Sequence, residues 1–101
     1  MLEEIMSEIS KLTELRKLLL DMESSMGLQD LSSVERDIYY AASDHAISAG
    51  AVKTTVLQEH ALLAQVSRPT FFRGLKSLQK KGYLEQCKNS TRGYYIVKAP
   101  R

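Results

Sequence analysis

Residues 67–82 read Ser67-Arg68-Pro69-Thr70-Phe71-Phe72-Arg73-Gly74-Leu75-Lys76-Ser77-Leu78-Gln79-Lys80-Lys81-Gly82, and they carry both ends of one short helix. Ser67 is a favourable N-cap, and Pro69 falls in the first turn, where a missing N–H costs nothing. Lys80 and Lys81 suit the negative end of a helix, and Gly82 stands where a C-terminal cap takes a left-handed residue. Phe71, Leu75 and Leu78 share helical spacing and make one apolar stripe. The remaining face carries Arg68, Thr70, Phe72, Arg73 and Lys76, and the segment holds no acidic residue. A helix anchored on one side in a core, with only cationic and hydrogen-bonding groups on the other, suits the groove of a polyanion.

Charge elsewhere points the same way. The 101-residue chain has a formal net charge of +2, but the charge is unevenly spread. Residues 1–66 hold five basic and eleven acidic residues, a balance of −6, whereas residues 67–101 hold nine basic residues against Glu85 alone, a balance of +8. A basic block of this kind is the footprint expected of a nucleic-acid surface, or of a solvated face. The apolar fraction of 44% is ordinary for a globular chain, and the length fits one domain with an appended helix. Apolar runs such as Leu18 to Leu20 are too short for a membrane span, and the acidic start MLEEIMSE is unlike a secretory signal. Cys87 is the single cysteine, which fits a reducing, cytoplasmic setting.

Working outward, residues 1–27 read as a long helix and its stop. Leu2, Ile5, Ile9 and Leu12 follow 3-4-3 spacing, and Leu15, Leu19, Met22 and Met26 follow 4-3-4. The extra three-residue step between the sets is a stammer in a coiled-coil pattern. The stripe predicts dimerisation through this helix, at Leu2, Ile5, Ile9, Leu12, Leu15, Leu19 and Met22, with packing along the chain's own domain as the plainer alternative. Gly27 ends the helix. Ser32-Ser33-Val34-Glu35 is a capping box that opens a second helix from Ser33 to about Ala49, closed by Gly50. Its alanines predict close helix–helix packing, and Tyr39 and Tyr40 fall mid-helix. Ala51-Val52-Lys53 is a short strand. Thr54 or Thr55 then caps a third helix to about Ala61, with Val56, Leu57 and Leu62 or Leu63 turned inward. After Ala64-Gln65-Val66 and the opening helix, Tyr83 to Cys87 and Tyr94 to Lys98 alternate as strands around a turn-rich tip, Lys88 to Gly93.

This order, a helix-turn-helix followed by a β-hairpin, makes the chain a mainly α (α+β) protein of winged-helix type over residues 31–98, with a long N-terminal helix in front. The residues Leu31-Ser32-Ser33-Val34-Glu35-Arg36, Ser67-Arg68-Pro69-Thr70, Leu75-Lys76 with Leu78, Lys81-Gly82-Tyr83-Leu84-Glu85 and Arg92-Gly93 resemble the MarR-like family of bacterial winged-helix transcription regulators. The resemblance implies a homodimeric, sequence-specific DNA-binding regulator in the cytoplasm, on the nucleoid. The chain departs from the family in two places. It stops after the hairpin, leaving only the first helix for dimerisation. The segment from Val52 to Ser67 is a few residues longer than usual, which makes the third helix or its turn unusual.

In a helix-turn-helix the second helix enters the major groove with its N-terminal residues at base edges. That places Arg68, Thr70, Phe72, Arg73 and Lys76 toward double-stranded DNA, with Ser67 at a phosphate. Arg68 and Arg73 suit guanine, and Thr70 and Phe72 suit a thymine methyl. Lys76, Lys80 and Lys88 read as phosphate contacts, and Arg92 at the hairpin tip reads as a minor-groove residue, a role the resemblance also implies. Plainer roles compete: Phe72 packing under the hairpin, Lys80 and Lys81 serving the helix dipole, Arg73 paired with an acid of the second helix. Asp44-His45, Glu59-His60 and Cys87 match no standard metal spacing, and no Gly-rich phosphate loop, HExxH or CxxC is present. Neither an enzyme nor a cofactor is expected. A rival to DNA reading is a winged helix used for protein–protein assembly, with the acidic N-terminal helix docking a partner.

Overall fold

In the computed structural model, which describes residues 1–87 and 93–100 and all their side chains except those of residues 47–49, the spacing that starts at Leu2 forms a single helix, α1 (Leu2–Ser25). Gly27 ends it at φ +74°, and a 3-10 turn follows at Leu28–Asp30. The chain divides into two units, Met1–Asp30 and Leu31–Pro100. In the first, Leu2, Ile5, Ile9, Leu12, Leu15, Leu19, Met22 and Met26 are all exposed. Met6, Leu18 and Leu20 are exposed too, so the apolar surface of α1 is broader than one coiled-coil seam. Among the described residues no helix is long and apolar enough to cross a membrane.

The second unit runs α2 (Ser33–Ala49), β1 (Ala51–Lys53), α3 (Thr54–Gln58), a 3-10 turn at Ala61–Leu63, α4 (Arg68–Lys81), β2 (Leu84–Gln86) and β3 (Tyr94–Val97). It is mainly helical, with one three-stranded antiparallel sheet in the order β1-β3-β2. Val52 sits opposite Tyr95 and Leu84 opposite Val97. Alternation along the strands turns Val52, Tyr95 and Leu84 into the core and leaves Ile96 and Glu85 outside. The Tyr39 hydroxyl on α2 donates to the Lys98 carbonyl just past β3, and its ring meets Tyr83 edge-on at 5.3 Å. Burial, with Tyr83 adding to it, pushes the Tyr39 phenol up from its ordinary value.

Close approach of α2 and α4 holds this unit together. Ile38, Ala41 and Ala42 face inward from α2, and Phe71, Gly74, Leu75 and Leu78 from α4. Gly74 is needed there, because a Cβ on it would lie 2.7 Å from Ile38 Cδ1. The C-terminus of α4 is a Schellman cap. Gly82 is left-handed at φ +87°, its N–H donates to the Gln79 carbonyl, and the Tyr83 N–H donates to the Leu78 carbonyl at 2.9 Å. Tyr83 therefore belongs to the cap, and β2 begins one residue later than the alternation predicts.

The third helix differs more from expectation. It stops at Gln58, and the chain makes a separate 3-10 turn before α4. Neither threonine caps it. The N-cap is Lys53, and the Thr54 N–H and hydroxyl both donate to the Gly93 carbonyl, at 2.7 and 2.9 Å. A carbonyl 39 residues away outcompetes the local cap because β1 and β3 are already paired beside it. Leu57 and Leu63 are buried, whereas Val56 and Leu62 are exposed. The break is braced by His60. Its Nδ1 accepts the Leu62 N–H at 3.1 Å, which leaves the ring proton of the neutral imidazole on Nε2, 2.9 Å from Asp44 Oδ2 on α2. The segment between Val52 and Ser67 thus holds a short helix plus a capped turn.

Candidate nucleic-acid interface

The exposed face of α4 is built from its N-cap upward. Ser67 accepts the Thr70 N–H at its Oγ and donates its own hydroxyl proton to Thr70 Oγ1 at 2.8 Å. Thr70 Oγ1 also accepts from Arg73 Nη2 at 3.3 Å. One turn of helix thus links Ser67, Thr70 and Arg73 through a single hydroxyl. On the adjoining strip Phe72 is 39% exposed, and the Arg68 guanidinium lies over its ring with Cζ 5.4 Å from the centroid. Phe72 in turn meets the buried Phe71 edge-on at 5.1 Å. Lys76 is exposed one turn further along.

Ser67, Arg68, Thr70, Phe72, Arg73 and Lys76 therefore share one face, as the helical spacing predicts. Arg73 faces the N-terminus of α2 across a shallow notch with Ser32, Glu35 and Ser77 along it, yet it donates to Thr70 and not to the carboxylate. The ion pair with an acid of the second helix, considered from the sequence, does not form among the described residues, because Glu35 is taken up elsewhere. Lys88 and Arg92 lie outside the described residues. On either side of them, the Cys87 N–H donates to the Tyr94 carbonyl at 3.0 Å, and Gly93 is held by Thr54. Glu85, the only acidic residue in the basic third of the chain, pairs with Lys98 at 3.0 Å.

Glu35 is the residue that sequence reasoning undervalued. Its capping box forms in full: the Ser32 N–H donates to Glu35 Oε1 at 2.7 Å, and the Glu35 N–H donates to Ser32 Oγ at 3.2 Å. The same buried carboxylate also accepts from the Ser77 hydroxyl and from Lys81 Nζ at 3.1 Å, both on α4. Burial by itself pushes this carboxyl up. The Ser32 backbone, Ser77, Lys81 and the Ser32 side chain together outweigh that and hold it at about 2. Glu35 thus locks the N-terminus of α2 to the last turn of α4 and fixes the angle at which the basic face is presented. The capping box was visible in the sequence, but nothing local marks Ser77 and Lys81 as partners 42 and 46 residues away. It also means that Lys81 serves Glu35 rather than only the helix dipole.

Away from this face, His45 lies edge-on to His60 with ring centroids 5.3 Å apart. Among the described residues no group of three or more His, Cys, Asp or Glu side chains is placed to hold a metal ion. Comparison of the chain with protein-family models, with curated proteins and with solved structures finds no match.

Proposed function

We infer that the chain is a sequence-specific DNA-binding regulator of the winged-helix kind, similar to MarR-like regulators, acting as a homodimer through α1. The observation that carries this reading is the α4 face. Two exposed arginines, a hydroxyl pair and an exposed lysine stand on a helix that itself carries no acidic residue and whose other side is locked into the core. α4 would enter the major groove, with Arg68 and Arg73 at guanine edges and Lys76 at a phosphate. The connection from β2 to β3 would reach the adjacent minor groove through Arg92. The exposed apolar band of α1 would pair two chains, so that the dimer reads an inverted repeat with half-sites about one helical turn apart.

The test is a fluorescence-polarisation titration on duplexes selected from a random pool, repeated across salt concentrations. The expected result is specific binding that weakens steeply with salt and is lost in Arg68→Ala plus Arg73→Ala, each guanine contact being worth about 1–3 kcal/mol. Absent or salt-insensitive binding, unchanged in the double variant, overturns the reading. The breadth of α1's exposed apolar surface favours one rival, a protein-assembly module that docks a different partner. A single stoichiometric protein partner in a pull-down, with no preference among duplexes, would select it.

A further inference from the structure

The two arginines of α4 are not equivalent to free surface side chains. Each is held by a neighbour on the same helix. Arg73 donates to Thr70 Oγ1 at 3.3 Å, and that oxygen is itself oriented by the Ser67 hydroxyl at 2.8 Å. Both acceptor positions of the Thr70 oxygen are therefore used inside the protein. Arg68 lies on the face of Phe72, whose ring is braced by the buried Phe71. The chain of contacts runs from core to ring to guanidinium on one strip, and from N-cap to hydroxyl to guanidinium on the other.

We propose that Thr70 and Phe72 are positioning residues, which preset the Arg73 and Arg68 guanidiniums before a ligand arrives. This rests on the reading of α4 as the DNA-contacting helix, and it changes the roles assigned within that helix. On this reading Thr70 and Phe72 serve to position the arginines rather than to read thymine methyls. They restrict two long side chains whose ordering on binding is otherwise costly, and they leave the planar forks in fixed directions. A guanidinium lying over an aromatic ring spends no N–H donor on it, so Phe72 can orient Arg68 without competing with a base. The consequence is specificity: loss of either positioning group relaxes discrimination at the base pair read by its own arginine and leaves the other base pairs unaffected.

Two measurements on the full chain test this. The first needs no DNA. In NMR spectra of the free protein, the Arg68 side-chain protons are expected to show an upfield ring-current shift that disappears in Phe72→Leu. The Arg73 guanidinium is expected to become more mobile in Thr70→Val and to recover in Thr70→Ser. Arginine signals identical in wild type and variants overturn the proposal whatever the protein binds. The second is a pair of double-mutant cycles on the selected duplex and on versions with each guanine replaced. Thr70→Val should cost about two- to tenfold in discrimination at one base pair, the range of a net hydrogen bond. It should cost nothing further in an Arg73→Ala background, and Phe72→Leu should behave likewise with Arg68→Ala. Additive losses with specific binding intact overturn the positioning roles alone. Failure to select any specific duplex overturns the reading of α4, and with it the use assigned to the preset arginines. Thermal melts of each variant, with Thr70→Ala as a second hydroxyl deletion, separate these outcomes from misfolding.

Discussion

Replacing Glu35 by Gln tests the junction that sets the angle of α4. The wild-type carboxylate is 8% exposed and accepts three hydrogen bonds, from the Ser32 N–H, the Ser77 hydroxyl and Lys81 Nζ at 3.1 Å, of which only the last comes from a charged group. Its folded-state value of about 2 lies well below the ordinary 4.5. At roughly 1.36 kcal/mol per pH unit, that separation corresponds to about 3 kcal/mol. Lys81 is 40% exposed, and solvent screening of its charge lowers the expected contribution to about 2 kcal/mol. Counting bonds gives a similar figure: a capping box contributes about 1 kcal/mol, and bonds to an ionised acceptor about 1 kcal/mol or more. Because the folded-state value is the lower one, the stabilisation is complete above about pH 5 and drains away as pH falls toward about 2. Urea denaturation at fixed protein concentration is the assay. Glu35→Gln should be less stable than wild type by about 2 kcal/mol at pH 7, and the gap should narrow substantially at about pH 3, since only the wild type gains a proton there. Equal stability at pH 7, or a gap of the same size at both pH values, refutes the assignment of Glu35 as an ionised bridge.

Other perturbations probe the remaining supports. Gly74→Ala places a methyl 2.7 Å from Ile38 Cδ1 and should cost about 1–3 kcal/mol in the same denaturation assay, with Gly74→Ala plus Ile38→Val recovering part of the loss. Thr54→Val keeps the backbone donor to Gly93 but removes the hydroxyl, and should cost about 1 kcal/mol, with faster amide exchange at Tyr94 and Tyr95. Leu12→Glu plus Leu19→Glu places charges on the exposed stripe of α1 and should shift sedimentation from dimer to monomer while leaving the circular dichroism of residues 31–100 essentially unchanged.

Much of the local architecture was legible because its signals act within one turn of helix. Ser32 with Glu35, Ser67 with Thr70, and Gly82 with Gln79 each satisfy backbone groups no more than a few residues away, so the residue type at one position foretells the bond. The stripe Phe71, Leu75 and Leu78 became the buried side of α4, and Ser67, Arg68, Thr70, Phe72, Arg73 and Lys76 fell on the other for the same reason of period. Reading failed where a local preference lost to a distant partner. Thr54 has a capping side chain, but the Gly93 carbonyl is brought to it by sheet pairing. His60 matched no metal-ligand spacing and had no partner assigned from the sequence, and it caps a 3-10 turn while tying it to Asp44.

The sequence by itself determined α1, α2 and α4, the caps of the last two, the charge asymmetry and which residues of α4 share a face, because each is written into residue types and spacing along one stretch of backbone. Only the tertiary structure decided the strand order β1-β3-β2, the closeness of α2 to α4 at Gly74, and the second set of partners on Glu35. It also decided that Arg68 and Arg73 are held rather than free, since the cation–ring contact and hydroxyl acceptance depend on rotamers that residue types alone leave open. Local signals place groups on a helix. What those groups are bound to is set by packing between segments far apart in the chain.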